Sequence, residues 1–339
     1  MTTTPIPATT PQSPPATMRA VVQDGYGSSD VLTLDRVPVP APGKGEVLVR
    51  VHAAGLDRGT WHLMTGKPYL LRLAFGVRRP RNPVPGRDVA GTVVSVGDGV
   101  TRWSPGDRVY GVAPGSFAEL AVTTADKLAP LPDGLTFEQA AVVPISGLTA
   151  QQAVTMAKVR PGDRVLVLGA SGGVGSYAVQ LAKAAGAEVT GVASAAKLDL
   201  VRSLGADHVL DYAKDDFAST GRRYDVVLDI GGNPSISRLR KALTRTGTAV
   251  IVGGEGGENL SGGMGRVLRG RLLSLFVHQH LTNFVNRESG ADLERLTPLL
   301  ESGAVTPAVD RVLPLAEAQA AMRLMETGQV RGKIALTVR

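Results

Sequence analysis

G162-D-R-V-L-V-L-G-A-S-G-G-V-G-S-Y-A-V-Q-L-A-K183 decides the fold. Four apolar residues, Val165 to Leu168, run into a glycine-rich turn, and an amphipathic stretch follows up to Gly186. A short apolar run bounded by glycine reads as a strand buried on both faces of a parallel sheet. Ala170-Ser171-Gly172-Gly173-Val174-Gly175 then fills a G-x-G-x-x-G frame, with alanine in place of the first glycine. In this frame Gly172 lets backbone approach a pyrophosphate and Gly175 lets the helix over residues 176–185 pack against the strand. Ser171, Gly173 and Val174 complete the turn, and the first N–H groups of the helix face the anion. Strand, turn and helix in this order predict a dinucleotide site.

The next strand, residues 188–192, chooses between dinucleotides. An NAD enzyme places Asp or Glu roughly 20 residues after the turn, on the ribose 2′-hydroxyl. Here that tip reads Ala193-Ser194-Ala195-Ala196-Lys197, with no carboxylate. An acid would repel a 2′-phosphate, whereas a hydroxyl and an ammonium bind it through charge-assisted hydrogen bonds. Ser194 and Lys197 therefore argue for NADPH, and Ser194 also suits a helix cap near Ala195.

From about residue 148 onward, helical stretches alternate with short apolar strands at 165–168, 188–192, 208–210, 226–230, 249–252 and 272–277. This alternation predicts an α/β, doubly wound parallel sheet. Residues 18 to about 144 read instead as short strands between Gly and Pro turns, a small and partly open β-barrel. Residues 293–302 and 315–327 read as helices, and the strand 333–338 returns to the first domain. The expected organisation is a tail over 1–17, a catalytic domain from 18–143 plus 281–339, and a cofactor-binding domain over 144–280.

Composition narrows the function. The chain has 339 residues, 43% hydrophobic and 20% charged, enough for two globular domains. It has no cysteine, which excludes disulfides, zinc–thiolate sites, iron–sulfur clusters and cysteine nucleophiles. The net charge of +7 comes from scattered arginines, dense only between Arg72 and Arg81. Aromatics are 4%, so a basic stripe interleaved with stacking rings is absent and no nucleic-acid partner is expected. No run has membrane-spanning length, and the Thr/Pro-rich residues 1–17 read as a disordered tail, not a signal peptide. The expected location is cytoplasmic, with no membrane partner. His278 and His280 stand two apart, as on one face of a strand, without the acidic or thiol neighbours a metal site needs.

Several stretches resemble the medium-chain dehydrogenase/reductase superfamily, within it the zinc-independent quinone oxidoreductase (zeta-crystallin-like) group. They are the fingerprint itself, G45-E-V-L-V-R-V51, P85-G-R-D-V-A-G-T-V-V-S-V-G97, P105-G-D-R-V-Y-G111, L204-G-A-D-H-V-L-D-Y212 and the closing R331-G-K-I-A-L336. The resemblance implies a GroES-like catalytic domain beside a Rossmann domain. It also places Asp57, Arg87 and Pro144 where zinc members carry their three zinc ligands. Arginine is cationic and proline has no donor, so zinc cannot be held there.

Without a Lewis acid, the suitable reaction is hydride delivery to an acceptor that is already electrophilic: a quinone, or the β-carbon of an enone or enal. The group carries Asn where this chain has Asp57, so Asp57 is a candidate catalytic residue, with pairing to Arg58 or Arg87 as its structural alternative. The resemblance further implies cofactor contacts from Thr149, Tyr212, Gly253, Gly254 and Lys333. Trp61, Tyr69, Leu70, Phe75 and Phe284 are expected in the pocket wall. The apolar run from Leu272 to Val277 is expected as an edge strand that pairs across a homodimer. Two other readings stay open: an enoyl-thioester or polyketide-type enoyl reductase whose Arg72 to Arg81 segment meets a carrier phosphate, and an NADPH-binding protein with little turnover.

Overall fold

The computed structural model describes residues 16–253, 264–274 and 276–338. Arg164–Leu168 stands inside a six-stranded sheet. Glu188–Ala193 and then His208–Asp211 lie on one side; Tyr224–Asp229, Leu243–Ile251 and His280–Asn283 lie on the other. Every pairing in this sheet is parallel. The spatial order is third, second, first, fourth, fifth, sixth, and it reverses between the first and fourth strands. A doubly wound sheet binds its ligand in the crevice at that reversal.

The first strand is buried on both faces, as its uninterrupted apolar run requires. Val165 and Val167 pack with Tyr177, Ala178 and Leu181, while Leu166 and Leu168 pack on the opposite face with Leu239, Ile251 and Leu281. Each such fully buried side chain contributes about 1.5–3 kcal/mol. The following helix is Gly173–Ala184, starting three residues before the sequence pattern suggests. Gly175 explains its close seat on the strand: a Cβ there would stand 2.0 Å from the Gly169 carbonyl oxygen. Gly169 itself has φ 79°, a left-handed conformation that glycine adopts without strain.

The run expected as an edge strand begins inside a helix, and Phe276 and Val277 lie in the turn beyond it. Met264–Ser274 forms an α-helix and the sixth strand is His280–Asn283. Short apolar runs do not distinguish strand from helix. Here Val267, Gly270 and Leu273 recur at helical spacing on the covered side, whereas Leu268 and Leu272 are exposed. Ser274 fastens the helix to the strand by accepting from Leu281 N–H at 2.7 Å. Because residues 281–283 pair in this sheet, the expected domain boundary after 280 falls inside the strand.

The remaining strands form a seven-stranded mixed sheet in the order Val309–Pro314, Lys333–Thr337, Glu46–Gly55, Asp88–Val96, Arg108–Val112 and Leu128–Pro130, with Leu120–Thr124 also paired to Glu46–Gly55. Lys333–Thr337 thus returns the end of the chain to the first part of the sequence. A hairpin, Thr17–Val22 with Thr33–Pro38, joins by a bridge from Ala20 to Ala118. The helix Pro144–Ala157 links the two sheets; proline suits its first turn because that N–H has no helical partner.

Replacing Gly175 by alanine is expected to cost about 3 kcal/mol in urea unfolding, since backbone must move to admit the methyl group. Gly265→Ala, on the exposed side of Met264–Ser274 where nothing lies within 4 Å, is expected to leave stability unchanged or raise it by about 0.5–1 kcal/mol.

Candidate active site

A cleft of about 980 Å³ opens at the reversal of the parallel sheet, between it and the mixed sheet. Ser171, Gly172, Gly173 and Val174 line it. No side chain caps the N-terminus of Gly173–Ala184, so its first N–H groups are left to whatever the cleft holds. Gly173 is needed because a Cβ there would meet Lys333 Cδ at 2.9 Å and Ser146 Oγ at 3.0 Å. The Gly332 N–H donates to the Ser171 carbonyl at 2.8 Å, so the R-G-K segment is tied directly to the fingerprint turn. Thr149 lines the cleft from the linking helix, its hydroxyl donating to the Ile145 carbonyl at 2.6 Å.

Ser194, Lys197 and Tyr212 gather at one end of the cleft. Ser194 makes no side-chain cap to the turn Ala195–Lys197. Lys197 Nζ donates to the Gly328 and Val330 carbonyls, each at 2.7 Å, which steadies the ammonium beside the tip of Glu188–Ala193. Tyr212 is largely exposed. The opposite end is lined by Leu56, Asp57, Arg58, Trp61, His62 and Lys67. Asp57 opens the helix Arg58–Thr65, accepting the Thr60 N–H on one oxygen and the Thr60 hydroxyl on the other, both at 2.9 Å. It is therefore a helix cap, its carboxylate held by Thr60. Trp61 Nε1 donates to Glu326 at 3.1 Å and the Arg58 guanidinium lies 4.2 Å over its ring.

Residues 43–133 match the alcohol dehydrogenase GroES-like domain family, and residues 204–336 match the family described as zinc-binding dehydrogenase. A chloroplastic quinone-oxidoreductase of Triphysaria versicolor is 33% identical over 94% of this chain and 97% of its own length. An NADPH-dependent alkenal/one oxidoreductase of Arabidopsis thaliana is 35% identical over 94% of this chain and 79% of its own. Among solved structures, the quinone oxidoreductase from Coxiella burnetii superposes with a TM-score of 0.85 at 30% identity, covering 95% of this chain and all of that one. The chain belongs to the zinc-independent quinone oxidoreductase group of the medium-chain dehydrogenases/reductases.

In this chain the three zinc-ligand positions do other work. Asp57 caps a helix, Arg87 pairs with Glu288, which also takes Lys127 at 2.8 Å, and Pro144 begins a helix. Among the described residues no three His, Asp or Glu side chains gather as a metal site, His278 and His280 included.

The sequence reading placed Lys333 at the cofactor and missed what holds it. Lys333 Nζ donates to Asp88 at 2.9 Å with both side chains almost fully buried, and the other Asp88 oxygen accepts the Ile145 N–H at 2.8 Å. Burial pushes the Asp88 carboxyl up to about 6, against the pull of Lys333 and with the repulsion of Asp57. A second buried pair stands at the end of Tyr224–Asp229. Arg266 donates to Asp229 at 2.6 Å and also to the Pro234 and Gly253 carbonyls, both at 3.0 Å, which fixes two cleft loops. Asp229 is likewise pushed up to about 6 by burial.

Other expected site residues fall elsewhere. Tyr69, Leu70 and Phe75, in and just before the short helix Leu71–Phe75, are exposed and stand outside the cleft lining. Phe284 packs on the core of the parallel sheet. Gly253 lines the cleft, and Gly254 lies outside the described residues. The loop from Ile230 to Pro234 was missed, although its Gly231-Gly232 pair directly after an apolar strand is a readable sign of close approach. Arg238 was missed as well; it lines the cleft, pairs with Asp216 at 2.8 Å and lies 4.9 Å over the Phe217 ring.

Two outcomes follow. Lys197→Ala is expected to raise the KM for NADPH roughly tenfold while that for NADH moves far less, as one charge-assisted contact to the 2′-phosphate is lost. Lys333→Met at pH 7 strands a buried carboxylate and is expected to cost about 3–5 kcal/mol, most of it recovered in Asp88→Asn/Lys333→Met. The folded Asp88 carboxyl titrates near 6 against 3.8 for a free side chain, so its ionisation lowers stability as pH rises through that window. Urea unfolding across the window should show this slope disappear in Asp88→Asn.

Proposed function

We propose that the protein is an NADPH-dependent, zinc-independent reductase of quinones or α,β-unsaturated carbonyls. The observation that carries the reading is the uncapped N-terminus of a twelve-residue helix at the sheet's reversal, with Ser194 and Lys197, and no carboxylate, at the neighbouring strand tip. The residues fit the dinucleotide: an open glycine turn for its pyrophosphate and a hydroxyl, an ammonium and a phenol for its 2′-phosphate. The relatives named for quinone reduction and for alkenal/one reduction, and a mycobacterial structural neighbour complexed with NADPH (TM-score 0.81), agree with it.

When bound, the reduced nicotinamide supplies a hydride. The N–H groups of Gly173 and Val174 would hold the pyrophosphate, and Ser194, Lys197 and Tyr212 would take the 2′-phosphate. Thr149, Gly253 and Lys333 bound the nicotinamide half, with Asp57 beyond it. Leu56, Trp61, Ile145 and Met325 line the acceptor end with mainly apolar surface, excluding water and orienting a flat conjugated acceptor. Asp57 acts by fixing the start of its helix and, with it, Trp61 and His62.

An enoyl-thioester reductase is the second reading. Arg78, Arg79 and Arg81 are exposed, and the neighbours include the CurK enoyl reductase (TM-score 0.81, 28% identity). We further propose a homodimer, with the cytoplasm as its location. The exposed Leu268, Leu272, Phe276 and Val285 flank the edge strand His280–Asn283, and a second copy would cover them. No helix among the described residues is long and apolar enough to cross a membrane.

The test is NADPH consumption over a panel of quinones, enals, enones and carrier-linked enoyl thioesters, with a chelator in a parallel series. Turnover of quinones or enones, indifferent to the chelator, is the expected result. Turnover confined to carrier-linked thioesters selects the second reading, and tight NADPH binding with an inert panel would leave a binding protein.

A further inference from the structure

We propose that residues 69–81 form a docking surface that seats the protein on an anionic lipid bilayer. From residue 58 to residue 87 the sequence holds six arginines and one lysine, with no aspartate or glutamate. The middle of this stretch also carries apolar side chains into solvent. Tyr69, Leu70, Leu73, Phe75 and Val77 are all exposed, Leu73 at 69% and Val77 at 65%. Single exposed apolar residues are ordinary, but five within nine positions mark a contact surface. Arg78, Arg79 and Arg81 follow, also exposed, and none of the three forms an ion pair among the described residues.

The segment is held in one shape. Arg72 Nε donates to the Gly66 carbonyl at 2.9 Å, and its guanidinium lies 4.4 Å over the Tyr26 ring and 4.7 Å over the Tyr69 ring. The Tyr26 hydroxyl donates to the Gly76 carbonyl at 2.5 Å. Gly76 has φ 124°, and a Cβ there would stand 2.0 Å from the Arg79 carbonyl oxygen, so the chain doubles back at this glycine. The Arg81 N–H then donates to the Phe75 carbonyl at 2.8 Å. The apolar and the cationic halves therefore form one patch. Arg72 is used within it, which leaves Arg78, Arg79 and Arg81 for an anionic partner.

A bilayer with acidic headgroups satisfies both halves. Guanidinium groups pair with lipid phosphate and carboxylate, while the apolar side chains enter the boundary between headgroups and acyl chains. A protein partner takes about 20–30 residues from each side of a stable interface, far more than this segment offers, whereas a bilayer needs a few inserted side chains beside cations. No helix among the described residues is long and apolar enough to cross a membrane, so the contact is with one leaflet. The sequence gave no membrane-spanning run and hence no expected membrane partner; a contact of this kind needs no such run.

The surface begins at the cleft. Lys67 and Pro68 line the cleft, and Tyr69 is the next residue. Docking there sets the cleft beside the bilayer, where acceptors with long apolar tails concentrate. That consequence rests on the reductase reading; the docking itself does not.

Sedimentation of the full-length protein with vesicles, without nucleotide or acceptor, is the test. Phosphatidylcholine vesicles containing about 30% phosphatidylserine are expected to carry the protein down at low salt and to release it as salt rises. Vesicles of phosphatidylcholine alone should bind at least about tenfold more weakly. Arg78→Gln/Arg79→Gln/Arg81→Gln is expected to lower the affinity for the anionic vesicles about a hundredfold, at about fivefold per arginine. Leu73→Ser/Val77→Ser should lower it about tenfold or more. Both variants change exposed positions, and an unchanged urea midpoint confirms that they fold. A wild-type protein that stays in solution with the anionic vesicles, or full binding by either variant, would overturn the proposal. Binding to a purified acyl-carrier protein with none to vesicles would overturn it too, and make the segment a protein-docking surface. In a second arm, a long-tailed quinone held in the anionic vesicles should be reduced about tenfold faster by the wild type than by Leu73→Ser/Val77→Ser, with equal rates on a tail-less quinone in buffer. Equal rates on the tailed quinone would overturn the consequence for the acceptor. A wild type inert towards both quinones would sink the reductase reading instead, with the sedimentation result still deciding the docking.

Discussion

The ammonium of Lys333 is the constraint on which the cleft depends. It is buried against Gly173 of the fingerprint turn, neutralised by Asp88 from the mixed sheet, and its neighbour Gly332 donates to Ser171. Asp88 in turn accepts from Ile145, at the start of the helix linking the two sheets. One charge pair therefore fixes the mixed sheet, the linking helix and the dinucleotide turn relative to one another. Burying two charges carries a desolvation penalty that their attraction only partly offsets, so such a pair is poor evidence of stability. Its value lies in geometry: the ammonium has no other acceptor position as good, and the turn is held where an anion must land.

The same logic recurs where Arg266 meets Asp229. The guanidinium bonds the Pro234 and Gly253 carbonyls, so the loops after the fourth and fifth strands move as a unit. Around these fixed points the chain leaves donors facing the cleft. The helix start has no side-chain cap, Ser194 makes no side-chain cap to its turn, and Lys197 leans on two carbonyls that restrict its ammonium. Preorganised donors of this kind bind an anion at little conformational cost.

How much of this was legible in the sequence depends on the range of each interaction. The strand, turn and helix from Arg164 to Ala184 are local, so period and glycine spacing revealed them, and the choice of Ser194 and Lys197 came from residues beside one strand tip. The Asp88–Lys333 pair was not legible, since the partners are 245 residues apart and no local pattern couples them. Met264–Ser274 was misread because its apolar residues run together in sequence, and only the partner surface shows which of them it covers. Tyr69 and Phe75 were assigned to the pocket on residue type, yet type says nothing about the direction a short helix turns its side chains.

The return of Lys333–Thr337 to Glu46–Gly55 also sets an order of events during synthesis. The parallel sheet is complete in sequence once Asn283 has been made, whereas the mixed sheet waits for the last residues. A ribosome adding about 5–20 residues per second leaves Asp88 without its counter-ion for on the order of ten seconds or more. During that interval the nascent first domain holds an unneutralised carboxyl and an open strand edge, both exposed to chaperones and to neighbouring chains. The nucleotide turn, formed earlier, lacks the Lys333 side chain beneath Gly173 until that residue has been made, so the dinucleotide meets a completed floor only after Lys333 has joined the fold.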